Sequence, residues 1–186
     1  MFVSPFKQKK QMIVVSDAFV QQYRGGAEMT LESLLEYIQD DYELYKINSS
    51  HLTKEVLYEI KLKFPNACWL LGNFTQISAD VLEDFYKNIK KYYIMECDYK
   101  YCVFRSEQLH KQQTGKNCDC HLNTRLNNII SKFYSSAKII FWMSEKQKNI
   151  SNSKLTIENV HQITLGSLFS RSNINYFKDL KNNLGI

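Results

Sequence analysis

Cys102, His110, Cys118 and Cys120 carry the residue types that bind zinc, at the spacing C-x7-H-x7-C-x-C. Three thiolates and an imidazole can close a tetrahedral site, and one ion would then hold down a stretch with little core of its own. Cys97 and His121 stand close by in sequence. Cys97 would permit an all-thiolate iron–sulfur alternative, and unligated thiols are the third reading. The fifth cysteine, Cys68, falls in an apolar run and reads as a small core residue.

A second group lies near the start of the chain, where Arg24-Gly25-Gly26-Ala27-Glu28 links an apolar run to a helical pattern. Residues without side chains let backbone N–H groups approach a phosphate, and the positive end of the following helix favours an anion. The competing reading is a tight turn that needs positive φ. The spacing is not a nicotinamide-cofactor fingerprint, because no third glycine follows, and no Walker lysine is present. Glu28 would repel a diphosphate but suits a helix N-terminus. Glu96 and Asp98 form a third group, either of which could take a proton from a substrate hydroxyl. Lys100 and Arg105 just beyond could pair with these acids or with an anionic ligand. Tyr99 and Tyr101, aromatic residues in a polar stretch, are candidates for stacking on a substrate.

The elements that must position these groups follow from periodicity. Met12 to Val15 reads as a strand covered on both faces, and Leu31, Leu34, Leu35 and Ile38 give a helix one apolar stripe. Tyr42 to Ile47 predicts a second strand, and Thr53 caps a helix that Pro65 and Asn66 end. Ala67 to Leu71 predicts a third strand, Ser78 caps a helix through Ile89, and Tyr92 to Glu96 returns as a strand. Residues 97 to 121 have no period and read as an insertion or long functional loop. Beyond it come a helix with Leu122, Leu126, Ile129, Ile130 and Phe133, a strand from Ala137 to Met143, and a capping box at Ser144 and Gln147. Val160 to Leu165 predicts a sixth strand, and Ile174, Phe177, Leu180 and Leu184 a closing helix. The expectation is an α/β fold in one domain over 1–186: a Rossmann-like, mostly parallel sheet of about six strands with helices on both faces.

Composition narrows the function classes. The chain has 186 residues with a net charge of +5, but 20 of its 24 basic residues are Lys. Bidentate base and phosphate readers are scarce, so specific nucleic-acid binding is not expected. No run approaches the roughly 18 apolar residues of a membrane span, and Phe2 to Pro5 runs straight into lysines without a cleavage site. A cytoplasmic location is expected, with reduced thiols or metal ligands rather than disulfides.

The segments Val14-Val15-Ser16-Asp17 and Arg24-Gly25-Gly26-Ala27-Glu28, with the helix after them, resemble the opening of GT-B-fold glycosyltransferases. Glu96 to Cys102, Phe133 to Lys138 and Met143 to Gln147 are similar to the corresponding stretches of that group. The resemblance covers roughly residues 12 to 170. It implies that the GG-A-E loop (Gly25, Gly26, Ala27, Glu28) lies near the diphosphate of a nucleotide-sugar donor. It also implies that Glu96 or Asp98 lies near an acceptor, with Tyr99, Lys100 and Arg105 beside it. Such transferases use a second Rossmann-like domain or subunit for the donor, and these 186 residues leave no room for one. Glu28 and Glu36 reproduce the family's E-x7-E spacing by coincidence, on the wrong domain. The implied function is the acceptor-side half of a glycosyl transfer enzyme acting on a glycan or small-molecule acceptor. The alternative is a non-catalytic binding module of the same fold with a metal-stabilised loop.

Overall fold

A computed structural model describes residues 9–166, 168–171, 174, 175, 178, 179 and 181. The strands β1 (Lys10–Ser16), β2 (Tyr42–Asn48), β3 (Cys68–Leu71), β4 (Tyr92–Glu96), β5 (Ile139–Trp142) and β6 (His161–Thr164) form one sheet in the order β2-β1-β3-β4-β5-β6. Every pairing is parallel. The helices are α1 (Gly26–Ile38), α2 (Lys54–Lys63), α3 (Ala79–Asn88), α4 (Glu107–Thr114), α5 (Thr124–Ser135) and α6 (Glu145–Lys154).

Alternation along β1 divides the core. Ile13 and Val15 join Leu57 of α2, Phe85 of α3 and Phe133 of α5 on one face of the sheet. Met12 and Val14 join Leu31 and Leu35 of α1 on the other. A strand buried on both faces has no polar side, which is why β1 and β3 read as unbroken apolar runs. The larger layer is dense in rings: Phe85 packs edge-on to Trp69 and Tyr92, each with centroids 5.1 Å away.

The local signals hold at most boundaries. Thr53 and Ser78 accept from the amides of Val56 and Val81, capping α2 and α3. Ser144 accepts from Gln147 N at 3.1 Å, but Gln147 Oε1 bonds the amide of Met143 rather than that of Ser144, a displaced form of the expected box.

Two expectations need correction. The stretch 97–121 is not without periodic structure: it contains α4, opened by Ser106 accepting from Leu109 N and closed by Gly115 at φ 72. The helix escaped notice because its one buried residue is His110, so it has no apolar stripe. Leu122 is not on the stripe of α5. It ends a 3₁₀ turn (Cys120–Leu122) and is 68% exposed, and α5 starts after Asn123, whose side chain accepts from Leu126 N. The expected closing helix falls largely on residues outside those described; Ile174 is described and helical. No helix among the described residues is long and apolar enough to cross a membrane.

Candidate functional site

The order β2-β1-β3 makes the chain reverse direction at β1 and β3, and in an open parallel sheet ligands bind outside the carboxyl ends of the strands at that point. Three connections meet there. Asp17, just past β1, accepts from the hydroxyl of Ser49 and from Gln76 N, which ties the loops after β1, β2 and β3 together. At Gly72, after β3, an added Cβ would stand 2.9 Å from a terminal methyl of Leu31 of α1, so a larger residue would displace that side chain.

Gly25 and Gly26 turn out to differ. Neither has positive φ; among the described glycines only Gly115 and Gly166 do, so the loop is not a left-handed turn. Gly25 is the N-cap of α1 at φ −94, and a Cβ there would collide with Glu28 Oε2 and approach the Tyr23 ring to 2.7 Å. Gly26 has nothing within 4 Å of its Cβ position. No side chain caps α1, and its first intrahelical acceptor, Gly25 O, takes the amide of Met29. Ala27 follows in the first turn, and Glu28 is 6% exposed.

The end of β4 carries a buried charge cluster. Glu96 is fully buried, accepts from the Tyr134 hydroxyl and from Asp98 N, and stands 3.2 Å from Lys100 Nζ. Burial pushes its pKa up to about 7, against the pull of Lys100. Burial disfavours the charge on Lys100 too, but Glu96 and Asp98 more than offset it and the pKa is raised. The Lys100 ammonium lies 2.6 Å from Asp98, 3.3 Å from Asn73 Oδ1 and 4.6 Å from the Phe74 ring centroid. Arg105 completes the group: Nη2 donates to Thr75 O at 2.5 Å and Nη1 is 3.6 Å from Asp98 Oδ2. Asp98, at 20% exposure, is the carboxylate of the pair that reaches the surface. A cavity of about 170 Å³ opens beside Lys100 and Arg105, floored by Phe74 and Ile77.

Tyr99 packs at the margin of the larger core, with its ring 5.8 Å from that of Tyr101. Tyr101 is 1% exposed and its hydroxyl donates to Glu107, so it is a core residue and not a stacking platform. Gln147, expected only as part of a capping box, also donates to Asp98 O at 3.1 Å and joins α6 to the end of β4. Asp17 and Asn73 carry no expected role in the sequence, although both stand two residues past a predicted strand.

Cys102, His110, Cys118 and Cys120 come together with their ligand atoms within 4.8 Å of one another, and the group can hold a metal ion. His110 Nδ1 lies 3.6 Å from Cys102 Sγ and 3.4 Å from Cys120 Sγ. Burial and the neighbouring thiols push the Cys118 thiol up to about 12. Cys97 does not join the group: it packs with the α1 face of the sheet, whereas Cys102, Cys118 and Cys120 pack with the opposite core. His121 is turned toward Tyr101, with ring centroids 6.3 Å apart. Cys68 is 1% exposed in β3.

Comparison with protein-family models and with curated proteins gave no match to this chain.

Proposed function

We propose that this chain is the acceptor-side, Rossmann-like part of an enzyme that transfers a sugar from a nucleotide donor to an acceptor hydroxyl, with a structural zinc ion in its insertion. The observation that carries the reading is a convergence at one sheet edge. The uncapped start of α1, open in front of Gly26, and the ion-paired Asp98 both lie at the carboxyl ends of the strands.

In this reading the amides at Gly26 and Ala27 meet the donor diphosphate, which the positive end of α1 favours. Asp98 accepts the proton of the acceptor hydroxyl as that oxygen bonds to the anomeric carbon of the sugar, and the bond from that carbon to the donor phosphate breaks with the nucleoside diphosphate as leaving group. Lys100 and Arg105 hold Asp98 in place through their ion pairs, and Tyr99 borders the acceptor. Glu96, fully buried, acts by holding Lys100 rather than by touching the acceptor.

Two separations within the Cys/His group match zinc coordination. Tetrahedral zinc with Zn–S of about 2.3 Å and Zn–N of about 2.0–2.1 Å separates sulfur from nitrogen by about 3.5 Å. The two sulfur–nitrogen separations are 3.6 and 3.4 Å. A two-iron cluster would spread its ligands over two metal centres, and the separation of Cys97 removes the fourth thiolate of that alternative.

The buried carboxylate of Glu28 beside the loop favours a second reading, a binding module of the same fold that takes no diphosphate. Calorimetric titration with uridine- and guanosine-diphosphate sugars separates the two. The transferase reading predicts binding that Gly26→Val weakens at least tenfold while the variant stays folded. Binding that the variant retains, or none by the parent, overturns it.

A further inference from the structure

Cys102 belongs to two constructions at once. It is a ligand of the Cys/His group, and it sits in the middle of a closed loop between β4 and α4. Three backbone bonds close that loop: Tyr99 N donates to Arg105 O at 3.1 Å, Cys102 N to Tyr99 O at 2.9 Å, and Arg105 N to Cys102 O at 2.9 Å. Arg105 takes φ 58 to complete it, a conformation that disfavours a residue with a Cβ and persists only where surroundings hold it.

The same loop carries both cations of the crevice. Lys100 reaches Asn73 and Arg105 reaches Thr75, so each spans from the end of β4 to the connection after β3. That connection is pinned in turn to β1, through Gln76 N donating to Asp17 Oδ1 at 3.2 Å. A chain of contacts thus runs from Cys102 through Lys100 and Arg105 to the three loops of the crevice.

We propose that zinc bound at Cys102, His110, Cys118 and Cys120 is the positioning element of the crevice, with its occupancy setting the Tyr99–Arg105 loop and, through Lys100 and Arg105, the loops after β3 and β1. This rests on the zinc reading above. Zinc joins the loop to α4 and to the segment of Cys118 and Cys120, and in its absence the Cys102 side chain is left to its packing in the larger core and a thiol contact to Ser106 O at 3.6 Å. Arg105 then relaxes from φ 58 and releases Thr75 O. Because coupling between sites is reciprocal, whatever fills the crevice and orders this loop tightens zinc by the same factor.

Amide hydrogen exchange resolved by residue on the zinc-loaded chain tests this. Cys120 is a ligand 15 positions beyond Arg105 in sequence, so Cys120→Ser reaches the loop through the metal. With zinc lost, by Cys120→Ser or by chelation of the unsubstituted chain, exchange at Tyr99, Cys102, Arg105 and Gln76 rises at least tenfold, while β1 and β3 keep their protection. A zinc ion serving only the insertion would free His110 and Leu122 amides and leave Gln76 unchanged, and that outcome overturns the proposal while the zinc reading stands. Metal content is measured on the same samples; an unsubstituted chain that binds no zinc overturns both.

Discussion

The sheet and the insertion that crosses its edge are held by different means. The strands β1 and β3 are buried on both faces, and their order follows from how much apolar surface two layers of helices can cover. The insertion leaves Val103 69% and Leu122 68% exposed, and the one residue that α4 buries is a histidine. Its shape comes from caps, three loop hydrogen bonds, buried ion pairs and a cluster of ligand atoms. The scaffold is a property of many packed apolar contacts shared among strands and helices. Apart from Tyr101 and Cys102, which join the larger core, the insertion depends on a few polar atoms.

That contrast is broken most strongly from the scaffold side. Phe85 is fully buried among Trp69, Tyr92 and Phe133, so Phe85→Ala costs about 3–5 kcal/mol in urea unfolding. The loss is the same with zinc or with chelator present, and dependence on zinc would show that the core is not independent of the insertion.

The next effect comes from Glu96, where the two regions join. Its pKa is raised in the fold, so the folded chain holds a proton that the unfolded chain releases between about pH 4.5 and pH 7. Its contribution is therefore present below the unfolded pKa and lost as pH rises through about 7, a fall on the order of 1–3 kcal/mol. Glu96→Gln flattens this slope in denaturation midpoints measured at pH 5 and pH 7.5. An unchanged slope would mean that burial does not govern the group.

Smaller effects separate neighbouring residues. Gly25→Ala costs about 1–2 kcal/mol, because its Cβ meets Glu28 and the Tyr23 ring, whereas Gly26→Ala costs nothing measurable in thermal unfolding. Equal effects at both would contradict the split between a packed and an open glycine. Ser106→Ala removes the cap of α4 for about 1 kcal/mol. That loss appears as faster amide exchange in α4 and weaker zinc binding, with no change in the midpoint of the sheet.

The same contrast explains what the sequence made legible. All six strands and the caps at Thr53, Ser78 and Ser144 were readable because burial imposes periods and helix ends select particular side chains. α4 was hidden because its inward residue is a histidine rather than a Leu, although Ser106 and Gly115 marked both ends. The four members of the Cys/His group were legible from type and spacing, but the exclusion of Cys97 was not, since it depends on which face of the sheet the chain leaves from. Glu96 and Asp98 looked equivalent in sequence. The first is the last residue of β4 and is buried against Tyr134, whereas the second lies past the strand end at the rim, a distinction only three-dimensional packing can make.

The most direct test of this account is the metal content of the purified chain together with its accessible thiols. The account predicts one zinc per chain and resistance of Cys102, Cys118 and Cys120 to a thiol reagent, lifted when a chelator removes the metal while the far-ultraviolet spectrum of the sheet persists. A metal-free chain in which Cys102, Cys118 and Cys120 react as readily before chelator as after it, and which takes up no added zinc, would contradict it.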